Sequence, residues 1–528
     1  MLAPLRKSVA LARYNRRVAT YHVQNFGCRA TQADGAAIER QLLELGLLRA
    51  GAANQAEVVV LNTCTVTASA DQDARAAIRR IHRDNPTAQI LVTGCYAQRA
   101  PQELSAIPGV SVVVGNSHKH ELANYVRPLE KKDLAHRHEI DGKEDSGHPT
   151  HPRVSDEWVV ANTEANSSRD FVPLAHIGAC ASADFEIHAA PNVIVGDIFA
   201  HTELMAAPVF DGDSSEKTRP NVKVQDGCNN RCSFCIIPYV RGRSRSLKLE
   251  QLLREIDALV AKGYREVVLS GINLGRWGKE LTPRTSFAAM LRAILERTSI
   301  EKLRISSVEP MDWTNELIEL VASWPRICKH AHVPLQSGSD KILRKMHRKY
   351  RLWHYADRVE RLRRAMPDAA IGADVMVGFP GETDDDFEQT RALIERLPFT
   401  YLHVFTYSSR PGTPSAAMPN QVPVQVARER NRILRDLAAG KKRVFMESFI
   451  GREVEAITLT HFDGEYTEAL TDNYLKLRVR GQHHANQQMR VAIEAAEGDA
   501  LVGLEGSPLA SFAFEGSAQG FGLEGAQL

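Results

Sequence analysis

Three cysteines stand close together near the middle of the chain, at Cys228, Cys232 and Cys235. Thiolates are the usual protein ligands of iron–sulfur clusters, and three of them leave one iron of a four-iron cluster free to bind something else. An open coordination position distinguishes a catalytic metal centre from a structural one. The spacing therefore favours a catalytic iron–sulfur site. The alternatives are a zinc knuckle with a distant fourth ligand, or three unliganded thiols.

Three further cysteines, Cys28, Cys64 and Cys95, are far apart in the sequence, but each follows a predicted strand. Apolar runs alternate with helical patterns between residues 20 and 126, which predicts a parallel α/β sheet domain with strands at 21–26, 57–62, 89–93 and 110–114. The carboxyl ends of parallel strands line one crevice. We therefore expect these three thiols to meet and form a second site.

The segment 218–440 has to position the Cys228 group. Six predicted strands alternate with helices here, at 222–225, 266–270, 302–307, 329–334, 371–377 and 401–407. This alternation predicts an incomplete (β/α)6 barrel. The active site of such a barrel lies on the loops after the strand carboxyl ends, and Cys228 follows the first strand.

The other segments have different compositions. Residues 441–504 contain short alternating runs that predict a small all-β barrel. Residues 1–19 are predicted to be a basic extension, 127–217 an insertion or linker that is partly disordered, and 505–528 a disordered tail. Cys180 lies in the insertion and Cys328 just before a barrel strand. Neither has neighbours of ligand type, so no metal role is predicted for them.

The overall composition sets limits on the partners. The chain has 528 residues, a net charge of +2 and eight cysteines. This charge does not by itself indicate a nucleic-acid partner, so any basic surface has to be local. No apolar run is long enough to span a membrane, and the few cysteines suit a reducing compartment. We expect a cytoplasmic monomer with no membrane segment and no secretory signal.

An ordered set of motifs covers most of the chain and resembles the radical S-adenosylmethionine methylthiotransferase family. The motifs lie at residues 25–28, 62–65, 93–98, 228–235, 332–338, 378–383 and 407–413. Each motif is weak alone, whereas their order is specific. Within the family, residues 66–71, 78–80, 270–278 and 306–310 resemble the branch that acts on threonylcarbamoyladenosine in tRNA.

The resemblance implies a fold and a set of cofactors. It implies an N-terminal domain with an auxiliary 4Fe-4S cluster at Cys28, Cys64 and Cys95, a radical barrel with a catalytic 4Fe-4S cluster at the Cys228 group, and a C-terminal TRAM domain. S-adenosylmethionine is the second implied cofactor. The residues predicted to contact it are Ser270, Gly271, Asn273, Ser306, Ser307, Glu309, Gln336, Ser337 and Asp374. Ordinary turn and capping roles remain the alternative for these residues.

The implied reaction adds a methylthio group to carbon 2 of N6-threonylcarbamoyladenosine at position 37 of tRNA. The implied partners are the tRNA anticodon stem-loop and an electron donor of flavodoxin or ferredoxin type, while the sulfur donor is not identified. The alternative substrates are isopentenyladenosine in tRNA and an aspartate of a small-subunit ribosomal protein. A non-catalytic iron–sulfur protein that binds RNA is the alternative from a different class.

Basic and aromatic residues are candidates for RNA contact. Phosphate contacts are predicted for the basic loop 241–245 and for basic residues of the C-terminal barrel, with a solvated face as the alternative. Stacking on a splayed base, or else a core position, is predicted for Trp277, Phe405 and Tyr407.

Overall fold

The structure is a computed structural model that describes residues 19–126, 192–201, 204 and 218–506. Cys180, most of the predicted insertion and most of both predicted terminal segments lie outside the described residues.

The N-terminal part is a six-stranded parallel sheet with strand order β2-β1-β3-β4-β5-β6. Its strands are β1 (Thr20–Asn25), β2 (Leu48–Arg49), β3 (Val58–Thr63), β4 (Gln89–Gly94), β5 (Val110–Gly115) and β6 (Asn192–Ile194). Its helices are α1 (Arg29–Glu44), α2 (Ala68–Asp84), α3 (Cys95–Arg99) and α4 (Pro101–Ser105). The parallel α/β sheet is as the alternation of apolar runs indicates. Strand β6 lies in the segment predicted to be an insertion and pairs with β5.

The central part contains six parallel strands, and it also contains one short antiparallel strand. The strands are β7 (Asn221–Asp226), β8 (Arg245–Ser246), β9 (Glu266–Gly271), β10 (Lys302–Ile305), β11 (His330–His332), β12 (Ala370–Val377) and β13 (Tyr401–Thr406). They form two sheets with orders β10-β9-β7-β8 and β11-β12-β13. Isolated bridges between Leu303 and Ile327 and between Ser307 and His332 join the two sheets.

Helices accompany these strands, and all but the first contribute side chains to the main apolar core. They are α5 (Ile237–Arg241), α6 (Leu249–Ala261), α7 (Phe287–Arg297), α8 (Asn315–Ser323), α9 (Asp340–Lys345), α10 (Leu352–Ala365), α11 (Asp384–Arg396) and α12 (Val424–Glu447). The predicted boundary between residues 440 and 441 lies inside α12.

Alternate residues of the central strands face opposite environments, as strand geometry requires. One set packs in the main apolar core under the helices, for example Val222 and Val224 in β7 and Ile371, Ala373 and Val375 in β12. The other set is largely polar and lines the inner surface of the strands: Lys223, Gln225, Ser270, Arg304, His330, His332, Asp374, Tyr401 and His403. The fold therefore brings polar chemistry to one shared inner surface.

The C-terminal part is a closed five-stranded barrel with order β14-β15-β16-β18-β17. Its strands are β14 (Glu453–Phe462), β15 (Tyr466–Thr471), β16 (Lys476–Arg480), β17 (Gln488–Glu497) and β18 (Ala500–Glu505). The turn after β15 enters the central part, where Arg304 Nη1 donates to the Asp472 carbonyl over 3.0 Å. The Tyr474 ring lies 4.6 Å from the His330 ring. Within the described ranges, none of the helices combines the length and apolar character needed to cross a bilayer.

Candidate metal centres

Cys28, Cys64 and Cys95 lie together at the carboxyl edge of the N-terminal sheet, just beyond β1, β3 and β4. Burial, together with the nearby Cys95, raises the pKa of the Cys64 thiol to about 12. Cys28 Sγ lies 3.6 Å from Thr31 Oγ1, and Asn116 Nδ2 donates to Cys95 Sγ over 3.6 Å. The topology thus places three soft donor atoms beside one another.

In both groups of cysteines, a glycine directly before a cysteine allows the chain to pass very close to neighbouring atoms. Gly27 has φ +101°, and a Cβ at this position would lie 2.5 Å from Cys64 Cβ. Gly227 has φ +69°, and its Cβ would collide with the carbonyl oxygen of Arg243. A larger residue at either position would need a strained backbone and would push neighbouring atoms away. Each glycine directly precedes a cysteine, so both contribute to the placement of the thiols.

The Cys228 group lies in the loop after β7, with hydrogen-bond donors directed at two of its sulfurs. Asn273 Nδ2 donates to Cys228 Sγ over 3.6 Å, and Arg348 Nη1 donates to Cys232 Sγ over 3.4 Å. Burial raises the pKa of the Cys235 thiol to about 12. Burial also raises the pKa of Cys228. The Asn273 amide and the Arg348 guanidinium oppose this effect, because donors and positive charge next to a sulfur stabilise the thiolate that a metal would bind.

Both groups of cysteines border the same apolar cluster. Cys95 is one of its buried members, and Cys228 and Cys235 pack against it. Helix α5 supplies most of the remaining surface, and Asn116 Nδ2 also donates to the Val240 carbonyl over 2.7 Å. The other members of the cluster are Ile236, Ile237, Val240 and Ile272. The two sites therefore adjoin across one apolar cluster.

The arrangement weighs against a zinc site. Within the described residues, no three His, Cys, Asp or Glu side chains are arranged to hold a single metal ion. In a four-iron cluster each thiolate binds a different iron, so its protein ligands stand further apart than those of one zinc ion. The donor set of three thiols at each site fits an iron–sulfur cluster.

Ser270, Gly271 and Asn273 lie at the carboxyl end of β9, beside Cys228. The Asn273 N–H donates to Gln225 Oε1 over 2.7 Å. Ser270 Oγ and Asn273 Oδ1 are buried and have no hydrogen-bond partner. A Cβ on Gly271 would lie 3.0 Å from Gln225 Cβ. Buried polar atoms usually have a hydrogen-bond partner, so these two oxygens are candidates for contact with a polar ligand.

Ser306, Ser307 and Glu309 follow β10. Ser307 Oγ lies 2.7 Å from His332 Nδ1. Glu309 pairs with the Arg348 guanidinium that also reaches Cys232. The sequence analysis did not single out Arg348, because its distance of more than a hundred residues from the cysteine motif gives no local signal.

Gln336, Ser337 and Asp374 lie on the opposite side of the inner surface. Gln336 has φ +65°, an uncommon value for a residue other than glycine, and its Oε1 is buried without a partner. Ser337 is fully buried, and its Oγ accepts from the Ser339 N–H, which is a turn role. Asp374 Oδ1 lies 3.3 Å from His332 Nε2 without hydrogen-bond alignment. Of these three, Gln336 has the geometry most typical of a ligand contact.

A buried ionic network joins the N-terminal sheet domain to the central strands, and the sequence analysis missed it. Asp34 of α1 pairs with Lys119 over 3.0 Å, with Arg241 over 3.0 Å, and with Lys223. Burial alone would raise the pKa of Asp34, but the three cations lower it below its usual value. Asp226 accepts from both Arg241 and Lys223 over 3.0 Å. The network holds α1 against β7 and α5.

Phosphate contact is wrong for two arginines of the basic loop 241–245, and Trp277 takes the predicted core position rather than a stacking one. Arg241 is 2% exposed and Arg245 is 8% exposed, and both face Asp226, so neither reaches phosphate. Arg243 of the same loop is exposed, so a phosphate contact there stays a prediction. Trp277 is fully buried in the main core, where its Nε1 donates to the Leu247 carbonyl over 3.0 Å. The local sequence around these residues does not show that their partners lie in other elements.

The basic residues of the C-terminal barrel face acidic neighbours. Lys476 pairs with Asp499 over 2.6 Å, and Arg478 pairs with Asp463 over 3.2 Å. Exposed pairs of this kind contribute little to stability and exchange readily. They therefore leave a contact with phosphate open as a prediction. Among the aromatic candidates, Phe405 is exposed and Tyr407 is partly buried.

Known proteins with similar sequences match both cysteine-bearing regions. Residues 222–394 match the Radical SAM superfamily, and residues 20–115 match a group described as uncharacterized protein family UPF0004. Threonylcarbamoyladenosine tRNA methylthiotransferase MtaB of Bacillus subtilis (strain 168) is 34% identical over 88% of this chain and 91% of its own length. The protein of that name from Aquifex aeolicus (strain VF5) is 32% identical over 89% of this chain and 99% of its own length. A tRNA-2-methylthio-N(6)-dimethylallyladenosine synthase from Thermobifida fusca (strain YX) is 33% identical over 83% of this chain and 77% of its own length.

Proposed function

The chain belongs to the radical S-adenosylmethionine methylthiotransferases, and from this premise we propose that it adds a methylthio group to carbon 2 of N6-threonylcarbamoyladenosine at position 37 of tRNA. Two relatives named for threonylcarbamoyladenosine align with nearly the whole described chain. The structural observation that supports this most directly is the single apolar cluster bordered by Cys95, Cys228 and Cys235. A sulfur-bearing group can be transferred only if its site adjoins the site where the substrate is activated.

The superfamily implies one 4Fe-4S cluster and S-adenosylmethionine. We assign the first cluster to Cys228, Cys232 and Cys235, and a second 4Fe-4S cluster to the triad of the N-terminal sheet domain. When bound, the clusters and S-adenosylmethionine supply the radical that activates an aromatic carbon and the sulfur that is transferred.

The chain's own residues orient these groups and exclude water. The unpartnered oxygens Asn273 Oδ1 and Gln336 Oε1 are proposed to accept hydrogen bonds from S-adenosylmethionine, and the Ser270 hydroxyl to donate or accept one. Arg348 neutralises charge beside Cys232, and hydrogen bonds to cluster sulfurs raise reduction potentials. The buried isoleucines and valine of α5 keep the space between the two sites dry, which strengthens electrostatic interactions there.

We also propose the types of the two remaining domains, the electron donor, the oligomeric state and the location of the protein. The six parallel central strands are proposed to form an incomplete (β/α)6 barrel. The closed C-terminal barrel is proposed to be a TRAM domain that contacts the tRNA anticodon stem-loop. A flavodoxin- or ferredoxin-type protein is the proposed electron donor, and the chain is proposed to work as a monomer in the cytoplasm.

Isopentenyladenosine in tRNA, which is also called dimethylallyladenosine, is the second candidate substrate. A relative named for that substrate is 33% identical to this chain, nearly as similar as the relatives named for threonylcarbamoyladenosine. Overall identity therefore does not separate the two branches. The difference has to lie in the residues that contact the group on N6.

The deciding experiment uses the full chain, reconstituted anaerobically with iron and sulfide, and two anticodon stem-loop RNAs. One RNA carries threonylcarbamoyladenosine at position 37 and the other carries dimethylallyladenosine. With S-adenosylmethionine and a reductant, mass spectrometry of the nucleosides is expected to show the methylthio product only from the first RNA. Product only from the second RNA, or from neither, would contradict the proposal.

Cysteine variants provide the matched control for the metal sites. Wild-type protein is expected to hold about eight irons per chain, as two four-iron clusters require. Cys228→Ala and Cys95→Ala are each expected to lose about half of this iron and nearly all activity. Cys328→Ala removes a buried thiol that lies outside both sites. This variant is expected to retain its full iron content and its activity. Full iron content in Cys95→Ala would exclude the second cluster.

A further inference from the structure

Arg29 places a cation without a carboxylate partner at the inner surface of the central strands. It is the first residue of α1 and directly follows Cys28. Its guanidinium donates to Ser306 Oγ over 3.3 Å and to Tyr474 OH over 3.1 Å, and both of these partners are neutral. Among the described residues, no ion pair of Arg29 is found. The guanidinium is therefore held in place but not neutralised.

The surroundings of Arg29 have an excess of positive charge. Arg304 pairs with Glu266 over 2.7 Å, and Arg219 lies 3.7 Å from the same carboxylate. Burial, with help from Arg304 and Arg29 among others, holds the pKa of His330 well below its usual value. Arg304 and Arg219 thus share the Glu266 carboxylate, whereas within the described residues no carboxylate pairs with Arg29. An anion would be stabilised at this position.

The inner surface near Arg29 is open to solvent. Asp374 and Met376 of β12 are partly exposed, and His403 and Phe405 of β13 are exposed, with Phe405 at 40%. The alternate residues of β12 are fully buried in the core under the helices. Arg29 also lowers the pKa of His403, after burial and His332, so the cation lies close to this open face. The cation therefore lies beside a face that solvent reaches.

We propose that Arg29 binds the carboxylate of the threonylcarbamoyl group and is thereby a specificity-determining residue. This inference rests on the proposed function. The threonine of that group is joined through its nitrogen, so its carboxylate is free and negatively charged, whereas a dimethylallyl group is hydrocarbon only. A guanidinium offers two parallel N–H groups that match a carboxylate. Because Arg29 follows Cys28, the bound carboxylate would fix the modified base next to the N-terminal cysteine site.

The test measures binding, so its readout does not require turnover. Reconstituted full chain is titrated with three anticodon stem-loop RNAs that differ only at position 37. The first carries threonylcarbamoyladenosine, the second its threoninamide analogue, in which a neutral amide replaces the carboxylate, and the third unmodified adenosine. Wild-type protein is expected to bind the first RNA roughly 10- to 100-fold more tightly than the second, as for a charge-assisted hydrogen-bonded pair.

Arg29→Gln is expected to abolish this difference, and Arg29→Lys to retain part of it because the charge remains. Arg292→Gln, an exposed arginine of α7 paired with Glu316, is the matched control and is expected to behave as wild type. The iron content and thermal unfolding of each variant show whether it folds and holds both clusters. If Arg29→Gln does not fold, the comparison of the two modified RNAs on wild-type protein still decides whether the carboxylate is recognised.

Three outcomes would overturn the inference. The first is equal affinity of wild-type protein for the threonylcarbamoyl and threoninamide RNAs. The second is an equal loss of affinity for all three RNAs in Arg29→Gln, which would mean that Arg29 contacts backbone phosphate. The third is unchanged RNA discrimination with a raised KM for S-adenosylmethionine, which would assign Arg29 to that carboxylate. Absence of any methylthio product from wild-type protein would instead reject the proposed function.

Discussion

Asp34 offers a direct test of how the N-terminal sheet domain is held against the central strands. Its side chain is 2% exposed and contacts three cations, Lys119, Lys223 and Arg241. Asp34→Asn keeps the shape of the side chain and removes the charge. Lys119 then loses its only ion pair among the described residues, and its contact with the neutral Asn62 Oδ1 at 3.2 Å remains.

The expected cost is large because charges remain buried. Removing one partner of a buried ion pair typically costs about 3–5 kcal/mol, whereas removing an exposed charge costs less than about 1 kcal/mol. For domains of this size, about 3 kcal/mol corresponds to a fall of roughly 6–12 °C in Tm. Scanning calorimetry of the full chain at neutral pH measures this fall in the first unfolding transition. Asp73→Asn, an exposed acid on α2, is the matched control and is expected to change Tm very little.

The loss of stability in Asp34→Asn is expected to depend on pH in a direction that follows from the pKa of Asp34. The three cations lower the pKa of Asp34 in the folded chain, despite the opposing effect of burial. A group with a lowered folded-state pKa stabilises the protein above its unfolded-state pKa, and this contribution is lost as the pH falls toward the folded-state value. The Tm difference between wild type and Asp34→Asn is therefore expected to be constant near neutral pH and to shrink only below about pH 4.

A second substitution separates charge from packing. Lys119→Met in the Asp34→Asn background removes the buried ammonium that has lost its ion pair. Part of the lost stability is therefore expected to return. A fall in Tm no larger than that of Asp73→Asn would refute the reasoning, because it would mean that water or other ions already solvate the network.

Two further predictions concern the cysteine sites. Gly27→Ala is expected to reduce iron to about half, because its Cβ would lie 2.5 Å from Cys64 Cβ, while Gly46→Ala has a similar backbone strain at φ +81° without any neighbour and is expected to retain iron. Equal iron content in the two variants would contradict the steric argument. Arg348→Gln removes a cation 3.4 Å from Cys232 Sγ. It is expected to lower the reduction potential of that cluster by roughly 50 mV in a spectroelectrochemical titration, and an unchanged potential would contradict the electrostatic role.

Much of the fold could be predicted from the spacing of apolar residues along the chain and from the composition of its segments. The strands Val58–Thr63 and Gln89–Gly94 are buried and begin or continue with runs of apolar residues, which is typical of a parallel sheet covered on both faces. Because parallel strands end at one edge, the meeting of Cys28, Cys64 and Cys95 could be anticipated without any local motif. Asn192–Ile194 has only three residues, which is too short for a strand pattern to be recognised, so this strand was missed.

The errors share a physical cause. Arg241 and Arg245 form part of a basic run in the sequence, and a basic run is typical of a solvated or phosphate-binding loop. The partner that buries Arg241, Asp34, lies 207 residues away, so the pairing depends on domain docking that no local pattern encodes. Arg348 was missed for the same reason, since its role depends on the position of Cys232 in another loop.

The location of the ionic network gives it a role beyond stability. Helix α5 contributes Ile237 and Val240 to the apolar cluster between the two cysteine sites, and it ends at Arg241, which pairs with Asp34. Helix α1, which carries Asp34, begins directly after Cys28. An apolar interface alone tolerates small sliding movements, whereas buried ion pairs lose much of their stabilisation when displaced, and in some proteins they fix register. The same two helices therefore carry both the contacts that set the distance between the cysteine sites and the charges that resist a change in it.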